Sequence, residues 1–288
     1  MSDDKPLRWE VRQRLILIEA RLIWAGCLTT QDLRGAFGIS RSQASKDIAL
    51  YESLAPDNLQ YDLRARCYRA SRQFRPRFLH GTSREFLRAL RLFDPESDHP
   101  LITLASETAA VELLEMPERE FDVLTLQRVN TAIRERLKIR VDYQSMRVPE
   151  PRPLQLSPTA LVHTGLRWHL RAFSESHGRF IDVLLSRMRG VPELLDETAV
   201  SSDEDWEWKT IVPVRIGAHP GLSPHQRQVI EMDYGMQGGV LERRLRVALV
   251  PYYLRLMNVG KDDRKRPPEQ QQIVLLNPEE LDELDRLG

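Results

Sequence analysis

Residues 37–54, FGISRSQASKDIALYESL, restrict this chain more than any other stretch, because a single helix there has to serve two opposite surfaces. Gly38 can take the bend that follows a preceding helix, and Ser40 can accept hydrogen bonds from first-turn amides as an N-cap. At 100° per residue, Ala44, Ile48, Tyr51 and Ala55 share one face, an apolar stripe fit for a core. Ser42, Lys46, Ala49 and Ser53 share the other, which is too short and polar for a core and carries a cation. A helix laid against a ligand has this pattern.

The flanking sequence supplies the rest of a small domain. In WEVRQRLILIEARLIWA (residues 9–25), Val11, Leu15, Ile18, Leu22 and Ala25 recur at helical spacing. LTTQDLRGAFG reads as a second helix capped by Thr29 or Thr30, with Asp32 in its first turn and Leu33, Ala36 and Phe37 packing. After PDN (56–58) come two short strands, Leu59–Asp62 and Cys67–Ala70, joined by a connection carrying Arg64 and Arg66. Three helices and a two-stranded basic ribbon predict a winged helix-turn-helix. Charge distribution agrees. Residues 1–80 hold 14 Lys and Arg against nine Asp and Glu, a net +5, although the whole chain is neutral. Residues 81–210 carry a net −5 and residues 211–288 none. A basic first segment on an acidic or neutral remainder suits a separate phosphate-binding module.

Further along, residues 81–138 read as helical in three pieces, SREFLRALRLF, ITLASETAAVELLEM and EREFDVLTLQRVNTAIRERLK, punctuated by Pro100 and Pro117. KIRVDYQ then alternates as a strand, and prolines at 149, 151, 153 and 158 mark bending, extended chain. ALVHTGLRWHLRAF reads as a hairpin turning near Gly165, and HGRFIDVLLSRMRGV adds a strand. Short strands with tight turns predict a small barrel. The acidic stretch LDETAVSSDEDWEWKT, around 195–210, reads as a linker whose Asp203 and Asp205 are solvated, with Trp206 and Trp208 as packing anchors. The last segment mixes strands (IVPVRIG, RRLRVALV, QQIVLL) with helices at 224–234 and near 252–257, an α+β domain.

On the third helix, Gln43 can pair bidentately with an adenine edge, and Arg41 with guanine or a phosphate. Ser42, Ser45 and Lys46 can hold backbone oxygens, and Ala49 permits close approach. Thr30 and Ser40, at the first turns of the second and third helices, join this set, with Arg64 and Arg66 at phosphates or the flanking minor groove. The alternative is that the tri-helical shape serves protein interaction and that Arg41 and Lys46 are solvated charges. In GLRWHLRAF, strand parity puts Trp168, Leu170 and Ala172 on one face and Arg167, His169 and Arg171 on the other. The same parity aligns Arg187 with Arg189, while Tyr143 and Arg152 lie on neighbouring extended segments. Converging guanidinium forks suit phosphate or carboxylate. A polar face salt-bridged to the acidic stretch fits the same spacing.

Other chemistry is hard to place on this sequence. The two cysteines, Cys27 and Cys67, offer neither a disulfide framework nor metal-ligand spacing. The histidines are scattered without a zinc pattern, Ser157 is in no nucleophile elbow, and there is no Gly-rich phosphate loop. The mixed-charge run KDDRKRPP (261–268) reads as a solvated loop. No apolar signal segment follows MSDDKPLRWE, and no run approaches the roughly 18–20 apolar residues of a membrane span. The expectation is a cytoplasmic non-enzyme with no metal, cofactor or membrane partner.

The chain resembles WYL-domain transcriptional regulators. The naming motif falls on Trp168-His169-Leu170, His169 replacing the family's tyrosine, within GLRWHLRAFSESHGRFIDVLLSRMRGV. The N-terminal LTTQDLRGAFGISRSQASKDIALYESLAPDNLQYDLRARCYRAS is similar to BrxR/CapW-type repressors of phage-defence islands such as BREX and CBASS-like systems. The resemblance implies an α+β multidomain chain: a winged helix-turn-helix (1–80), a helical linker (81–137), a small Sm/SH3-like β-barrel (WYL, 138–200) and a C-terminal α+β dimerisation domain (WCX-like, 201–288). It implies a homodimer that binds inverted repeats in double-stranded DNA, represses defence genes, and is released by a nucleotide or nucleic-acid effector. Arg152, Arg187 and Arg189 would face that ligand, with Tyr143 and the Trp168–His169–Leu170 strand lining its pocket. A regulator of a defence enzyme that binds single strands through the WYL domain is the rival reading.

Overall fold

The second and third helices at the N-terminal end have identifiable start signals. The computed structural model describes residues 7–91, 119–148 and 150–285. Helix α1, Trp9–Ala20, runs on into a wider π-helical turn, Arg21–Ala25, and Gly26 ends it at φ 72°. Thr29, not Thr30, caps α2 (Thr30–Phe37): its hydroxyl accepts from the Asp32 amide while Asp32 reaches back to the Thr29 N–H, a reciprocal capping box. Gly38 takes the left-handed bend at φ 62°, and Ser40 caps α3 (Arg41–Leu54). Strands β1 (Leu59–Asp62) and β2 (Cys67–Ala70) pair antiparallel as the wing. Leu28 exchanges backbone hydrogen bonds with Tyr68, stitching that ribbon to the helices. Helix α4, Ser83–Arg91, follows. The expected helix 102–116, with Pro100 and Pro117, lies outside the described residues, as does Pro149.

Leu15, Ile18, Leu22, Leu28, Leu33, Ala44, Ile48 and Tyr51 form the core of this part. Burying each large apolar side chain contributes about 1.5–3 kcal/mol, so the stripe read from α3 is the one that anchors it. The chain divides into two compact units, Met1–Glu115 and Met116–Gly288.

In the second unit, Asp122 caps α5 (Val123–Glu135) and Arg136, at φ 57°, ends it. Strands β3 (Leu137–Tyr143), β4 (Arg152–His163), β5 (Trp168–Ser174), β6 (Arg179–Leu184) and β7 (Met188–Thr198) follow. They form one antiparallel sheet in the order β6-β5-β4-β3-β7. This corrects the expected Sm/SH3-like barrel, since no ladder joins the edge strands β6 and β7 among the described residues. Instead, α5 supplies Val129 and Ala132 to the apolar face formed by Ile139, Val141, Leu156, Leu170, Ala172 and Val183, so that face is buried without closure. The sheet is nonetheless strongly curled. Register shifts interrupt β4–β5 at Pro158/Ala160 and β3–β7 twice. A single 3-10 turn, Leu185–Arg187, carries the chain from one edge strand to the other.

The acidic stretch is structured: Asp203 is exposed and Trp206 packs on the core as expected, but Asp205 is buried, which corrects its reading as a solvated acid. Strand β7 extends to Thr198, and Asp205, 2% exposed, caps the short helix α6 (Trp206–Lys209). The C-terminal part contains β8 (Ile211–Ala218), α7 (Pro224–Tyr234), β9 (Val240–Arg246), α8 (Val250–Met257), β10 (Ile273–Leu275) and α9 (Pro278–Asp285). Its sheet order is β10-β8-β9. RRLRVALV is thus not one strand: Pro251, at a helix-starting position, turns its end into α8. Val214, Ile216, Leu222, Ile230, Ile273 and Leu275 are among the residues of this core. No helix among the described residues is long and apolar enough to cross a membrane.

Candidate nucleic-acid interface and the sheet surface

Helix α3 is fixed from below and open above. Asp47, 2% exposed, receives the Arg14 guanidinium through Nε at 2.7 Å and Nη2 at 3.3 Å, clamping α3 to α1. Gln43 leans onto the same carboxylate, its Nε2 donating to Asp47 Oδ1 at 3.0 Å. One of the two Gln43 amide N–H donors is thus engaged by Asp47, which leaves the second and the carbonyl oxygen for a base edge. Arg41, Ser42, Ser45, Lys46 and Ala49 line an open hollow on the opposite side. Arg41 and Lys46 are exposed, with no carboxylate partner among the described residues. Ser40 Oγ accepts the Gln43 amide at 3.1 Å, which leaves its own proton for a phosphate at a helix N-terminus. Ser53 donates to the Leu50 carbonyl at 2.7 Å and is turned back on its own helix. Thr30 is half-buried at the start of α2.

The wing is held in shape by one residue. Asp62 accepts the amides of Arg64 and Ala65 and the Nε of Arg69, each at 2.9 Å. Those bonds, the Ala65 amide first, hold its carboxyl below the usual aspartate range. Arg66 takes the left-handed conformation at φ 54°, and Arg64 and Arg66 both stand exposed at the tip.

Sequence reasoning missed two buried acids. Asp47 is one. The other is Glu19, fully buried, which accepts Tyr51 Oη at 3.0 Å and the amides of Arg77, Phe78 and Leu79 at 2.6, 2.8 and 2.9 Å. Each is a charge at a position where the helical period calls for a core residue, and that mismatch was the available signal. Burial, with Glu19 beside it, pushes the Tyr51 hydroxyl well above the ordinary tyrosine range despite the hydrogen bond from Asn58.

On the sheet, the sequence-selected residues separate. Leu170 is fully buried in the core facing α5, so it lines no pocket. Trp168 is 50% exposed and packs on His163, ring centroids 4.9 Å apart. Tyr143 accepts the Leu184 amide at its hydroxyl, at 3.2 Å, bridging the curled sheet from β3 to the end of β6. Register places Arg152 opposite Tyr143, and Arg189 opposite Asp142, on alternate sheet faces. Arg187 sits in the 3-10 turn, where strand parity does not apply, which corrects its alignment with Arg189. Arg189 Nε donates to Gln144 Oε1 at 3.0 Å. Arg152, Arg187 and Arg189 therefore do not form a single strand face.

His169 and Arg171 share the face away from α5. Arg171, 4% exposed, binds Asp205 through Nε at 2.7 Å and Nη2 at 2.8 Å, with Glu207 and Asp182 alongside. Burial alone would weaken its hold on the proton. The bonds to Asp205 and Glu207 outweigh that and keep the guanidinium charged. For this arginine, salt bridging to the acidic stretch is the correct reading. His169, 9% exposed, packs at a tilt against Tyr252 of α8 with centroids 4.9 Å apart, and Tyr252 Oη donates to Asp182 at 2.9 Å. The Nδ1 of His169 is buried without a hydrogen-bond partner. Burial lowers the His169 pKa; Asp182 opposes this, and Arg167, Arg187 and Arg255 add to it. Strand parity had already set Arg167 beside His169, but Arg255 was not singled out by sequence reasoning, and it lies 86 residues from His169 in the chain. Among the described residues no group of His, Cys, Asp and Glu could hold a metal ion.

Comparison with known proteins matches these regions one by one. A BrxR transcriptional regulator winged helix-turn-helix profile covers residues 10–92, a WYL domain residues 124–192, and a BrxR C-terminal dimerization domain residues 211–281. A DNA-binding transcriptional repressor CapW from Pseudomonas aeruginosa is 36% identical over 98% of this chain and 97% of its own. The chain belongs to this family of repressors. CapW of Stenotrophomonas maltophilia is 35% identical over 97% of this chain and 94% of its own. The Escherichia coli (strain KTE188) CapW is 36% identical, over 95% and 91% respectively.

Proposed function

We propose that this chain is a homodimeric, sequence-specific DNA-binding repressor of a phage-defence operon. Two copies joined through their C-terminal segments would present two α3 helices to the half-sites of an inverted repeat, protein symmetry matching operator symmetry. The observation that carries this reading is the open face of α3: Arg41, Ser42, Ser45, Lys46 and Ala49 line a hollow that no other part of the described chain fills. Arg41, Ser40, Ser42, Ser45 and Lys46 grip the backbone, Gln43 and Arg41 read base edges, and Thr30, Arg64 and Arg66 contact flanking phosphates.

The effector is an anion, a nucleotide or nucleic-acid fragment, held at the curled end of the WYL sheet. The unpartnered Nδ1 of buried His169, which feels the charges of Arg167, Arg187 and Arg255 as well as that of Asp182, supports that location. Of the other residues read from the sequence, register leaves Arg189 on the His169 face and puts Tyr143, Arg152 and Trp168 on the opposite one, so these three stand outside this set. Such a ligand shifts repression only by as much as its affinity differs between the DNA-bound and free arrangements.

Fluorescence anisotropy with the duplex upstream of the protein's own gene tests the reading. Tight, salt-sensitive binding that scrambled duplex fails to compete away supports site-specific repression. Equal binding to all duplexes, or stronger binding to single strands, overturns it and favours a single-strand sensor that regulates a defence enzyme.

A further inference from the structure

The wing carries a side chain that neither the fold nor the charge of its segment explains. Asp62 pairs with Cys67 at the end of the β1–β2 ladder, and residues 63–66 form the tip beyond them. Leu63 is 83% exposed, further out than any other large apolar side chain among the described residues. Turn chemistry does not call for a leucine there, since turns are built with Gly, Pro, Asn, Asp and Ser. Asp62 already does that work by accepting the amides of Arg64 and Ala65, each at 2.9 Å. Its bond to Arg69 Nε ties the tip back to β2. The tip is thus shaped in advance, and a partner that meets Leu63 has little chain to order. Arg64 and Arg66 stand exposed in the same tip, with no carboxylate partner among the described residues.

We propose that Leu63 is a specificity-determining residue that enters the minor groove beside the α3 half-site and selects A·T pairs there by excluding the guanine 2-amino group. This rests on the reading of the chain as an operator-binding repressor, and it gives the wing a sequence preference in addition to phosphate contact. The minor groove, about 6 Å wide, admits a side chain but not a pair of strands. Its walls are phosphates, which suit the two arginines. Its floor distinguishes base pairs by one group: A·T and T·A show acceptors alone, while G·C adds the amino donor. Acceptors on the floor are served by the Arg64 and Arg66 guanidinium groups, which have donors and nothing else. The amino group has no such partner. It projects toward Leu63, which offers no acceptor, and a donor buried unpaired costs affinity. An apolar side chain set between two cations therefore reads the groove by what it refuses. The arginines by themselves also favour a narrow A·T-rich groove, so the test has to separate their contribution from that of Leu63.

The test is fluorescence anisotropy with the full-length chain and the duplex upstream of its own gene. In the flanks of each half-site, every base pair in turn is made A·T, G·C or inosine·C. Inosine keeps the major-groove acceptors of guanine and lacks the 2-amino group. At one flanking position per half-site, G·C is expected to weaken binding about tenfold relative to A·T, while inosine·C binds as A·T does. This series uses the unaltered protein, so it does not depend on any variant folding. Leu63→Ser, at an exposed position, is expected to melt as the unaltered chain does. Its hydroxyl can accept from the amino group, so G·C should then bind close to inosine·C. Arg64→Ala is expected to weaken binding to all three duplexes alike and to lower the salt slope. Equal binding of G·C and inosine·C at every flanking position overturns the proposal, as does discrimination that persists in Leu63→Ser. An unaltered chain that binds its own upstream duplex no better than scrambled DNA overturns the repressor reading itself, and the role of Leu63 with it.

Discussion

Arg41 on α3 and Arg171 on β5 are the same residue in opposite circumstances. Arg41 is exposed with no carboxylate partner among the described residues, whereas Arg171 is 4% exposed and faces Asp205, Glu207 and Asp182. The first charge is available to something outside the molecule. The second is consumed in joining β5 to α6. An arginine on a polar face therefore says little by itself, and the acids within reach decide whether it binds a ligand or holds the fold.

The largest expected effect comes from breaking the buried partner. Arg171→Ala leaves Asp205 uncompensated in a dry site and should destabilise the second unit by about 3–5 kcal/mol in chemical denaturation. Arg41→Ala should stay within about 0.5 kcal/mol of the unaltered chain. Equal stability of the two variants would erase the contrast. Next comes Asp47→Ala, which strands the Arg14 guanidinium beneath α3 and should cost the N-terminal unit about 2–3 kcal/mol by thermal melting. It also frees Gln43, so its effect on operator discrimination reports what that amide contributes.

Lys46→Ala should leave the melt unchanged and weaken operator binding about fivefold near 0.15 M salt, lowering the salt slope by about one. A loss confined to one operator sequence would instead make Lys46 a base-reading residue. The smallest effect concerns pH. The folded state holds His169 below its ordinary 6.5, chiefly through burial, so the unfolded chain binds this proton more readily. The sheet should therefore keep its full contribution from this group above 6.5 and lose it as pH falls through and below that value. Comparing melts of the unaltered chain and His169→Gln between pH 7.5 and 5 isolates the loss, and a bound anion should lessen it.

The winged helix was legible because its information is local. Caps at Thr29 and Ser40, the bend at Gly38 and the 3.6-residue stripe Ala44, Ile48, Tyr51 all lie within a few residues of what they specify. The sheet was legible as strands but not as a closed shape. Closure depends on whether β6 meets β7, and α5 covers the apolar face without it. Among site residues, those facing solvent on α3 followed from periodicity alone. Leu170 was misjudged because a motif was read as a pocket lining, although strand parity had grouped it with Ala172 on the face that α5 covers. Asp205 was misjudged because acidic runs are usually solvated, and its partner Arg171 is 34 residues away.

The two-sided construction of α3 separates what the protein recognises from what keeps it folded. The Asp47–Arg14 clamp and the Ala44, Ile48, Tyr51 stripe set where the helix lies, while Arg41, Ser42, Ser45, Lys46 and Ala49 contribute almost nothing to holding it there. On the proposed reading, substitutions among those five are expected to accumulate at little cost in stability, those at Arg41 changing the preferred operator and the others the strength of the grip. A lineage of such repressors can thus acquire new regulatory targets quickly on an unchanged scaffold, as a lock can be re-keyed without replacing the door.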